Sequence, residues 1–241
     1  MRPRIAANLG AVARVMRNMG LDDFVLVKPE ADPADLEARK LSTHGEEVLR
    51  QAQVASSLSD AVRDCTLIAA TSARTGGLFR RQSMGPPDEI IPLLVEQLDH
   101  TPIALVFGPE ATGLTNAEIA SCHYLIHIPT DPGYLALNLA QAVAICLYEL
   151  RRAWLKRCSR SRETSELKSH EFSYSTFEVQ ERMFSDLRDA LEEIHFLYGP
   201  KADALMHALR HLIGRAKPSE MEIDVLLGLA RQIRWYVEHH R

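Results

Sequence analysis

Short β-rich apolar runs alternate with helical patterns from the start of the chain to Trp154. The four runs cover Phe24 to Val27, Leu67 to Thr71, Ile103 to Phe107 and Tyr124 to Ile128. Between the runs, the spacing of apolar residues predicts helices over Leu9 to Met19, Gly45 to Gln53, Ser59 to Asp64, Glu89 to Leu98 and Thr115 to Ser121. This alternation is typical of an α/β domain with a largely parallel sheet that helices cover on both faces.

The beginning of this domain departs from the usual pattern. A parallel α/β domain normally opens with a strand, yet only seven residues precede Asn8, and most of them are loop-like. The first predicted helix follows directly, with Gly20 as its stop. Two interpretations stay open: the natural start lies upstream of Met1, so that the first strand is missing here, or the sheet begins incomplete.

The last helix of the domain and the segments after it predict a second, smaller unit. Leu137 to Trp154 is apolar on nearly every side, which favours burial against the domain on one side and a partner subunit on the other. Residues 159–176 are polar and rich in serine, as linkers are. Helical patterns then cover Phe177 to Leu197, Ala202 to Ile213 and Glu220 to Val237. We therefore predict domains at 1–158 and 177–241.

Composition excludes some classes of protein. With 46% hydrophobic and 25% charged residues, the 241-residue chain can bury a full core. Its longest apolar run, Leu135 to Leu150, is interrupted by Asn138, Gln141 and Glu149, so no membrane span is expected. The basic start lacks the apolar region of a signal peptide, which predicts a cytoplasmic protein.

The residues that most often bind metals show no suitable pattern. The four cysteines are far apart and form no C-x-x-C pair, so buried free thiols are expected. His207 and His211 are spaced to share one face of a helix, but no H-E-x-x-H motif accompanies them. We interpret both as surface or packing residues and predict no metal site.

The charge pattern leaves two interpretations open. A net charge of -4 argues weakly against a nucleic-acid partner, although a local basic patch is what decides binding. Six cations and no acid lie between Arg151 and Arg162. This run is either a solvated linker or, together with Arg14, Arg17, Arg74, Arg80 and Arg81, a set of phosphate contacts.

Three glycine-bearing turns follow predicted strands, which is where open α/β sheets bind ligands. They cover Thr71 to Gly77, Gly108 to Asn116 and Pro129 to Asn138. The second turn lacks the Lys-Ser/Thr pair of a phosphate loop, and the chain contains no G-x-G-x-x-G motif. ATP chemistry and nicotinamide chemistry are therefore disfavoured. Glu110 is either a base or, more commonly in such a turn, a loop-holding acceptor of backbone hydrogen bonds.

Three segments together resemble a known family. Asn8 to Arg14, Leu105 to Leu114 and Ile128 to Val143 are similar to motifs 1, 2 and 3 of the SpoU/TrmH RNA methyltransferases of the SPOUT class, in the same order and spacing. Thr71 to Arg74 and the tail around Arg215 to Pro218 resemble the TrmJ subfamily in particular.

This resemblance implies a fold, a reaction and a site. The implied fold has a C-terminal trefoil knot and pairs as a homodimer through it, and the implied reaction is methylation of a tRNA ribose 2′-hydroxyl, at anticodon-loop position 32, by S-adenosylmethionine (SAM). The implied SAM contacts are Thr71, Ser72, Ala73, Gly108, Ile128, Leu135, Ala136 and Leu137. The implied substrate contacts are Asn8, Arg14, Glu110 and Tyr134, with Arg14 and Asn138 as catalytic residues.

The chain departs from that family pattern at one position. Ala136 stands where the resemblance implies an active-site serine. Either water or Tyr134 supplies the missing hydroxyl, or the protein binds SAM and RNA with little or no methyl transfer. Arg14 is expected to act as a cation, because a guanidinium essentially never loses its proton in a protein.

Overall fold

Helices and short strands alternate along the chain as the apolar runs predict. The computed structural model describes residues 1–74, 84–98, 102–163, 175–216 and 218–240. Its strands are β1 Val25–Val27, β2 Gln53–Ala55, β3 Leu67–Thr71, β4 Met84–Gly85, β5 Ile103–Val106 and β6 Tyr124–Ile126. The helices of the first domain are α1 Ala6–Met19, α2 Leu36–Ser42, α3 Glu46–Arg50, α4 Leu58–Val62, α5 Pro87–Val95, α6 Asn116–Ala120 and α7 Leu139–Glu163.

The strands form two parallel sheets. In the described residues, β1 pairs with β2, and a second sheet has the order β4-β6-β3-β5. Every pairing is parallel, which confirms the predicted sheet type. Buried residues of β3 alternate between its two faces: Ile68 and Ala70 pack with α4 and α6, whereas Leu67 and Ala69 pack with α5. The sheet is therefore covered on both sides.

Several predicted boundaries were wrong, for local reasons. The helix predicted over Gly45 to Gln53 ends at Arg50, and Gln53 instead opens β2. Neither β2 nor β4 was predicted, because both strands are too short to form a recognisable apolar run. In β2, moreover, the apolar Val54 is 66% exposed. Helix α2 was also missed, since its sequence is dominated by charged residues.

Helix α1 packs unusually closely on its neighbours. A Cβ atom at Gly10 would lie 2.1 Å from the carbonyl oxygen of Ala38 in α2. Another at Gly45 would lie 2.7 Å from the carbonyl oxygen of Ala13 in α1. The backbones can approach only because both positions are glycine. Gly20 ends the helix at φ 75°, as its sequence predicts.

Helix α7 is longer than predicted. It runs nine residues past Trp154, to Glu163, because no glycine or proline interrupts it. The predicted linker start at 159 therefore lies inside a helix, and residues 164–174 of that linker lie outside the described residues. In the described residues, no helix combines the length and hydropathy that a bilayer-spanning segment requires.

Three helices form the tail, each near its predicted place. They are α8 Phe177–Glu193, α9 Ala202–Ala216 and α10 Glu220–His240. Met183, Phe184, Leu187 and Ile223 are among the buried residues of a core that belongs to these helices alone. Phe177, at the start of α8, packs instead with Val62 and Ile68 of the α/β domain. The tail is thus a helical unit that docks on the α/β domain through the first turns of α8, where Gln180 also lies 2.9 Å from His123.

Candidate active site

The three glycine-bearing turns leave the same edge of the larger sheet. They follow β3, β5 and β6, which are adjacent in the order β6-β3-β5, and the carboxyl ends of parallel strands share one edge. Thr71 at the end of β3 donates from Oγ1 to the Val106 carbonyl at 3.3 Å. The Ser72 amide donates to the Ile126 carbonyl at 3.0 Å. The first turn is therefore fixed to both neighbouring strands.

The first turn is closed by its own serine. The Ser72 hydroxyl donates to the Arg74 carbonyl at 3.0 Å and accepts the Arg74 amide at 3.1 Å. His127, just after β6, lies 3.1 Å from the Ser72 carbonyl through Nδ1, so that this nitrogen carries the proton. The remainder of the predicted turn, residues 75–77, and the predicted cations Arg80 and Arg81 lie outside the described residues.

The second turn folds back tightly on itself. A Cβ atom at Gly108 would lie 2.5 Å from the Leu114 amide nitrogen, so the turn requires glycine there. Thr115 and Glu118 then form a reciprocal capping box at the start of α6. The Glu118 carboxylate also accepts hydrogen bonds from Nη1 and Nη2 of Arg2, at 2.5 and 3.1 Å. This bidentate pair ties the amino-terminal segment to α6, directly after the second turn.

The third turn presents its tip to solvent. Asp131 shapes it by accepting the Gly133 amide on its carboxylate at 2.7 Å and the Tyr134 amide on its carbonyl at 2.9 Å. Tyr134 is 79% exposed and Leu135 is 46% exposed, and Ala136 is exposed beside them. The backbone of 134–136 is therefore accessible to a ligand.

A chain of polar side chains joins all three resemblance motifs. Asn8 of α1 is only 5% exposed, and its Nδ2 donates to Oε1 of Glu110 at 2.8 Å. Its Oδ1 accepts Nδ2 of Asn138 at 2.9 Å. The Oδ1 of Asn138 in turn accepts the Ala140 amide at 2.8 Å, at the start of α7. Because each amide both donates and accepts, its orientation is fixed by its partners.

Glu110 has the structural role that its place in the turn predicts, but across elements. One carboxylate oxygen accepts Asn8, and the other accepts the backbone amide of Arg4 at 3.3 Å. The carboxylate thus holds the segment before α1 and the second turn together. These two bonds are the kind that the loop-holding alternative predicts, and the catalytic-base alternative stays a prediction.

Arg14 stands apart from this network. Its side chain lies on the exposed side of α1, opposite the buried Val12, Ala13 and Met16. In the described residues, Arg14 forms no ion pair, and it makes no hydrogen bond with Asn8, Glu110 or Asn138. The structure therefore brings the two asparagines and Glu110 together and leaves Arg14 as an exposed cation.

The cysteines and the histidines that the structure describes provide no alternative metal or catalytic centre. All four cysteines are free thiols, and burial raises the pKa of Cys122 and Cys146 to about 12, which keeps both protonated. His207 and His211 are buried packing residues, so the surface alternative was wrong. Among the residues that the structure describes, no group of three or more His, Cys, Asp or Glu side chains is placed to share a metal ion.

Comparison with known proteins decides the family. The model of the SpoU rRNA methylase family matches residues 1–148. The chain belongs to the SpoU methylase family. The model of the TrmJ carboxy-terminal domain matches residues 178–241, so the tail of this SpoU protein is of the TrmJ type. Both matches confirm the resemblance that the motifs indicate.

Relatives and solved structures agree over nearly the whole chain. The chain is 37% identical to tRNA (cytidine/uridine-2′-O-)-methyltransferase TrmJ of Photorhabdus laumondii, over 95% of this chain and 92% of that protein. Its fold is similar to the crystal structure of TrmJ from Z. mobilis, with a TM-score of 0.78, 28% identity and coverage of 97% and 96%. A probable methylase family protein from Haemophilus influenzae is 31% identical, with a TM-score of 0.62 and coverage of 100% and 96%.

The SpoU motifs predicted the polar network only in part. They pointed to Asn8, Glu110 and Asn138, but not to the hydrogen bonds between them. Arg2 and His127 were missed altogether. Arg2 lies in a basic start that has no periodic signal, and His127 follows β6 as a single polar residue in an apolar run. Only the strand pairing that brings His127 beside Ser72 reveals its role.

Proposed function

We propose that the chain transfers a methyl group from SAM to a ribose 2′-hydroxyl of tRNA. The observation that carries this proposal is the match of both parts of the chain, SpoU domain and TrmJ-type tail, to relatives named as tRNA 2′-O-methyltransferases. The anticodon-loop position 32 that the resemblance implies is the proposed target. A tRNA substrate also favours the cytoplasm as the place of action.

The turns at the sheet edge fit a SAM site. Ser72 and Ala73, together with Thr71, border the first turn, while Gly108 opens the second, where the close fold-back leaves no space for a side chain. The half-buried Ile128 and Leu137, with the more exposed Leu135, supply apolar surface for the adenosine group. The accessible backbone at 134–136 supplies hydrogen-bond donors and acceptors. When bound, SAM supplies a methyl group already activated by its sulfonium.

The protein's part in the reaction is to position the ribose and favour loss of its proton. Positioning alone contributes several kcal/mol to such reactions. We assign this role to Asn138, which Asn8 and Ala140 hold in one orientation. Arg14, an exposed cation without an ion pair in the described residues, binds phosphate and stabilises the developing oxyanion. Tyr134 lies beside Ala136 and offers a hydroxyl where the family has serine.

The principal rival is a protein that binds SAM and RNA without methylating. Ala136 is the residue that motivates it, and the relatives named as methyltransferases favour the enzyme. Incubating the full chain with labelled SAM and unmodified tRNA transcript distinguishes the two. We expect transfer to one ribose, located by resistance of that position to alkaline cleavage. SAM binding without transfer would support the rival.

The variant Ala136→Ser tests the proposed site directly. Restoring a hydroxyl that orients the ribose should raise the methyl-transfer rate about tenfold or more, since one placed polar group is worth up to ~10²-fold. Ala120→Ser, at the end of α6, is the matched control and should leave the rate unchanged. Equal rates for both variants and the original chain would show that position 136 does not contact the ribose.

We also propose that α7 belongs to a trefoil knot and forms a homodimer interface. Helix α7 buries Val143, Cys146 and Leu147 in the domain but leaves Ile145, Tyr148 and Leu155 exposed on its other side. An apolar stripe of this kind on one long helix suits a second copy of the chain. The domain itself therefore buries one side of α7, and the second copy would bury the other side.

The dimer proposal predicts the effect of a charge in that stripe. Ile145→Glu should convert a dimer to a monomer, because the carboxylate would lose water on pairing. Size-exclusion chromatography with light scattering measures the mass. Leu36→Glu, at a 64% exposed apolar position of α2 outside the stripe, is the control. A monomer before any substitution would refute the proposal.

A further inference from the structure

His127 connects the first turn with β4. It directly follows β6, and its backbone amide donates to the carbonyl of Gly85, the last residue of β4, at 3.0 Å. Its ring bonds in another direction, since Nδ1 lies 3.1 Å from the carbonyl oxygen of Ser72. The side chain is half-buried. One histidine therefore holds both the residue that follows β3 and the end of β4.

The bond to His127 sets the direction of the next backbone amide. In the described residues no peptide bond is cis, and in a trans peptide the C=O and N–H groups point in opposite directions. The Ser72 carbonyl points at His127, beside β6, so the Ala73 N–H points away from β6. It is thus directed to the side of β3 on which β5 and the second turn lie.

The Ala73 amide is held firmly and stays available to a ligand. On one side of it, the Ser72 amide donates to the Ile126 carbonyl at 3.0 Å. On the other side, the Ser72 hydroxyl accepts the Arg74 amide at 3.1 Å. Ala73 itself is exposed, and none of the residues that the structure describes accepts a hydrogen bond from its amide. A donor that is already ordered loses little conformational freedom when a ligand binds.

We propose that His127 is a positioning residue, which aims the Ala73 N–H at a hydrogen-bond acceptor of SAM. This inference rests on the proposed function, and it adds a residue that lies outside the three resemblance segments. SAM carries acceptors on its adenine ring, its ribose and its carboxylate. His127 does not touch the cofactor, because it acts through the Ser72 carbonyl.

Two conservative substitutions separate the donor at Nδ1 from the rest of the ring. Both asparagine and glutamine carry a carboxamide N–H that can donate. In His127→Asn this nitrogen takes the place of Nδ1, so the bond to the Ser72 carbonyl can form. In His127→Gln it lies one bond further from the backbone, near the place of Nε2, and the bond is lost.

Removing the ring should weaken SAM binding. His127→Ala should raise the Kd for SAM about three- to tenfold, the usual effect of losing one hydrogen bond. His127→Asn should bind SAM within about twofold of the original chain, whereas His127→Gln should resemble His127→Ala. Isothermal titration calorimetry of the full chain with SAM measures these values.

The kinetics of methyl transfer provide a second readout. With unmodified tRNA as substrate, His127→Ala should raise the KM for SAM by about the factor seen in Kd, while kcat changes by less than about twofold. A loss of this kind removes binding that SAM has before and during the reaction. A general loosening of the site would lower kcat as well.

His239→Ala is the matched control. The Nδ1 of His239 lies 2.8 Å from the Trp235 carbonyl in α10, so this substitution removes the same kind of bond in the tail. The Kd for SAM should not change. Ala73→Pro removes the N–H that His127 is proposed to aim, and in that background His127→Ala should have little further effect on the Kd.

Three results would overturn the proposal. The first is an unchanged Kd for SAM in His127→Ala, whether or not its Tm falls, since His127 would then serve the fold alone. The second is an equal Kd for His127→Asn and His127→Gln, a comparison that also decides the matter if His127→Ala does not fold. The third is a full additional loss from His127→Ala in the Ala73→Pro background. An original chain that binds no SAM would instead refute the proposed function, and this inference with it.

Discussion

At the scale of single residues, the site is organised by amide groups that have two partners each. Asn8 connects a carboxylate on the second turn with an amide on the third, and it does so while nearly fully buried. Removing it takes one hydrogen bond from Glu110 and one from Asn138, although each keeps a bond to a backbone amide. Each lost bond costs about 0.5 to 1.5 kcal/mol. The network is therefore sensitive to truncation at any of its members.

We expect Asn8→Ala to lower the free energy of unfolding by about 1 to 3 kcal/mol and to slow methyl transfer. Asn18→Ala, at an exposed position of the same helix, is the control and should change little. Combining Asn8→Ala with Asn138→Ala should cost less than the sum of the two, by about 1 kcal/mol, because both remove the same bond. Denaturant unfolding of the original chain, the two single variants Asn8→Ala and Asn138→Ala, and the double variant measures this coupling. Strictly additive losses would show that the bond between the two asparagines is not formed.

At the scale of elements, α1 is positioned by the absence of a side chain. Gly10 lets α1 and α2 approach until a Cβ would contact the Ala38 carbonyl oxygen, and this contact places Asn8, two residues earlier, in the network. Helix propensity alone would favour alanine at Gly10 by about 1 kcal/mol. The close approach outweighs propensity, because the atom that a Cβ would meet belongs to the backbone.

Gly10→Ala should therefore destabilise the protein by about 1 to 3 kcal/mol, the usual cost of overpacking. Gly228→Ala in α10 provides the contrast. A Cβ there meets nothing within 4 Å, and the residue is exposed within a helix, so we expect stabilisation by about 0.5 to 1 kcal/mol. Thermal or urea unfolding gives both values. Stabilisation by Gly10→Ala would contradict the close approach.

At the scale of the whole molecule, His123 of the SpoU domain and the buried His211 of α9 lie where the tail meets that domain. His123 accepts the Ile68 amide on Nδ1 at 3.1 Å, and its Nε2 lies 2.9 Å from Oε1 of Gln180 in α8. His211 of α9 packs against His207 at 4.2 Å between ring centroids. The pKa of His211 is lowered from 6.5 to about 4, mainly because burial disfavours the charged imidazolium. Repulsion from the positive charges of His207 and Arg215 lowers it further. Burial lowers the pKa of His123 as well.

This arrangement predicts a loss of stability in acid. Because the folded state lowers the pKa of His211, the unfolded chain takes up protons first as pH falls below 6.5. Stability is then fully present above pH 6.5 and declines as pH falls towards about 4. Unfolding experiments from pH 7.5 to 4 should show this decline, and His211→Gln should flatten it. His240→Gln, on an exposed histidine, should not.

The sequence predicted the sheet type and most helices, because buried strands and amphipathic helices leave periodic apolar patterns. It also placed Asn8, Glu110 and Asn138 in one site through their family motifs. It could not predict α2 or β4, whose stability comes from neighbours rather than from their own residues. The pairing of Arg2 with Glu118 joins residues 116 positions apart, and no local pattern encodes such a contact.

The chain of hydrogen bonds through Asn8 and Asn138 also constrains how this protein can exchange parts with its relatives. Each of the three bonded residues sits in a different segment, and Asn138 in addition begins α7. A chimera that receives one segment from a homologue inherits one half of a bond and keeps the other half from its own parent. The segments around Asn8, Glu110 and Asn138 must therefore be exchanged together if a chimera is to keep these hydrogen bonds, although more than a hundred positions separate the first segment from the last.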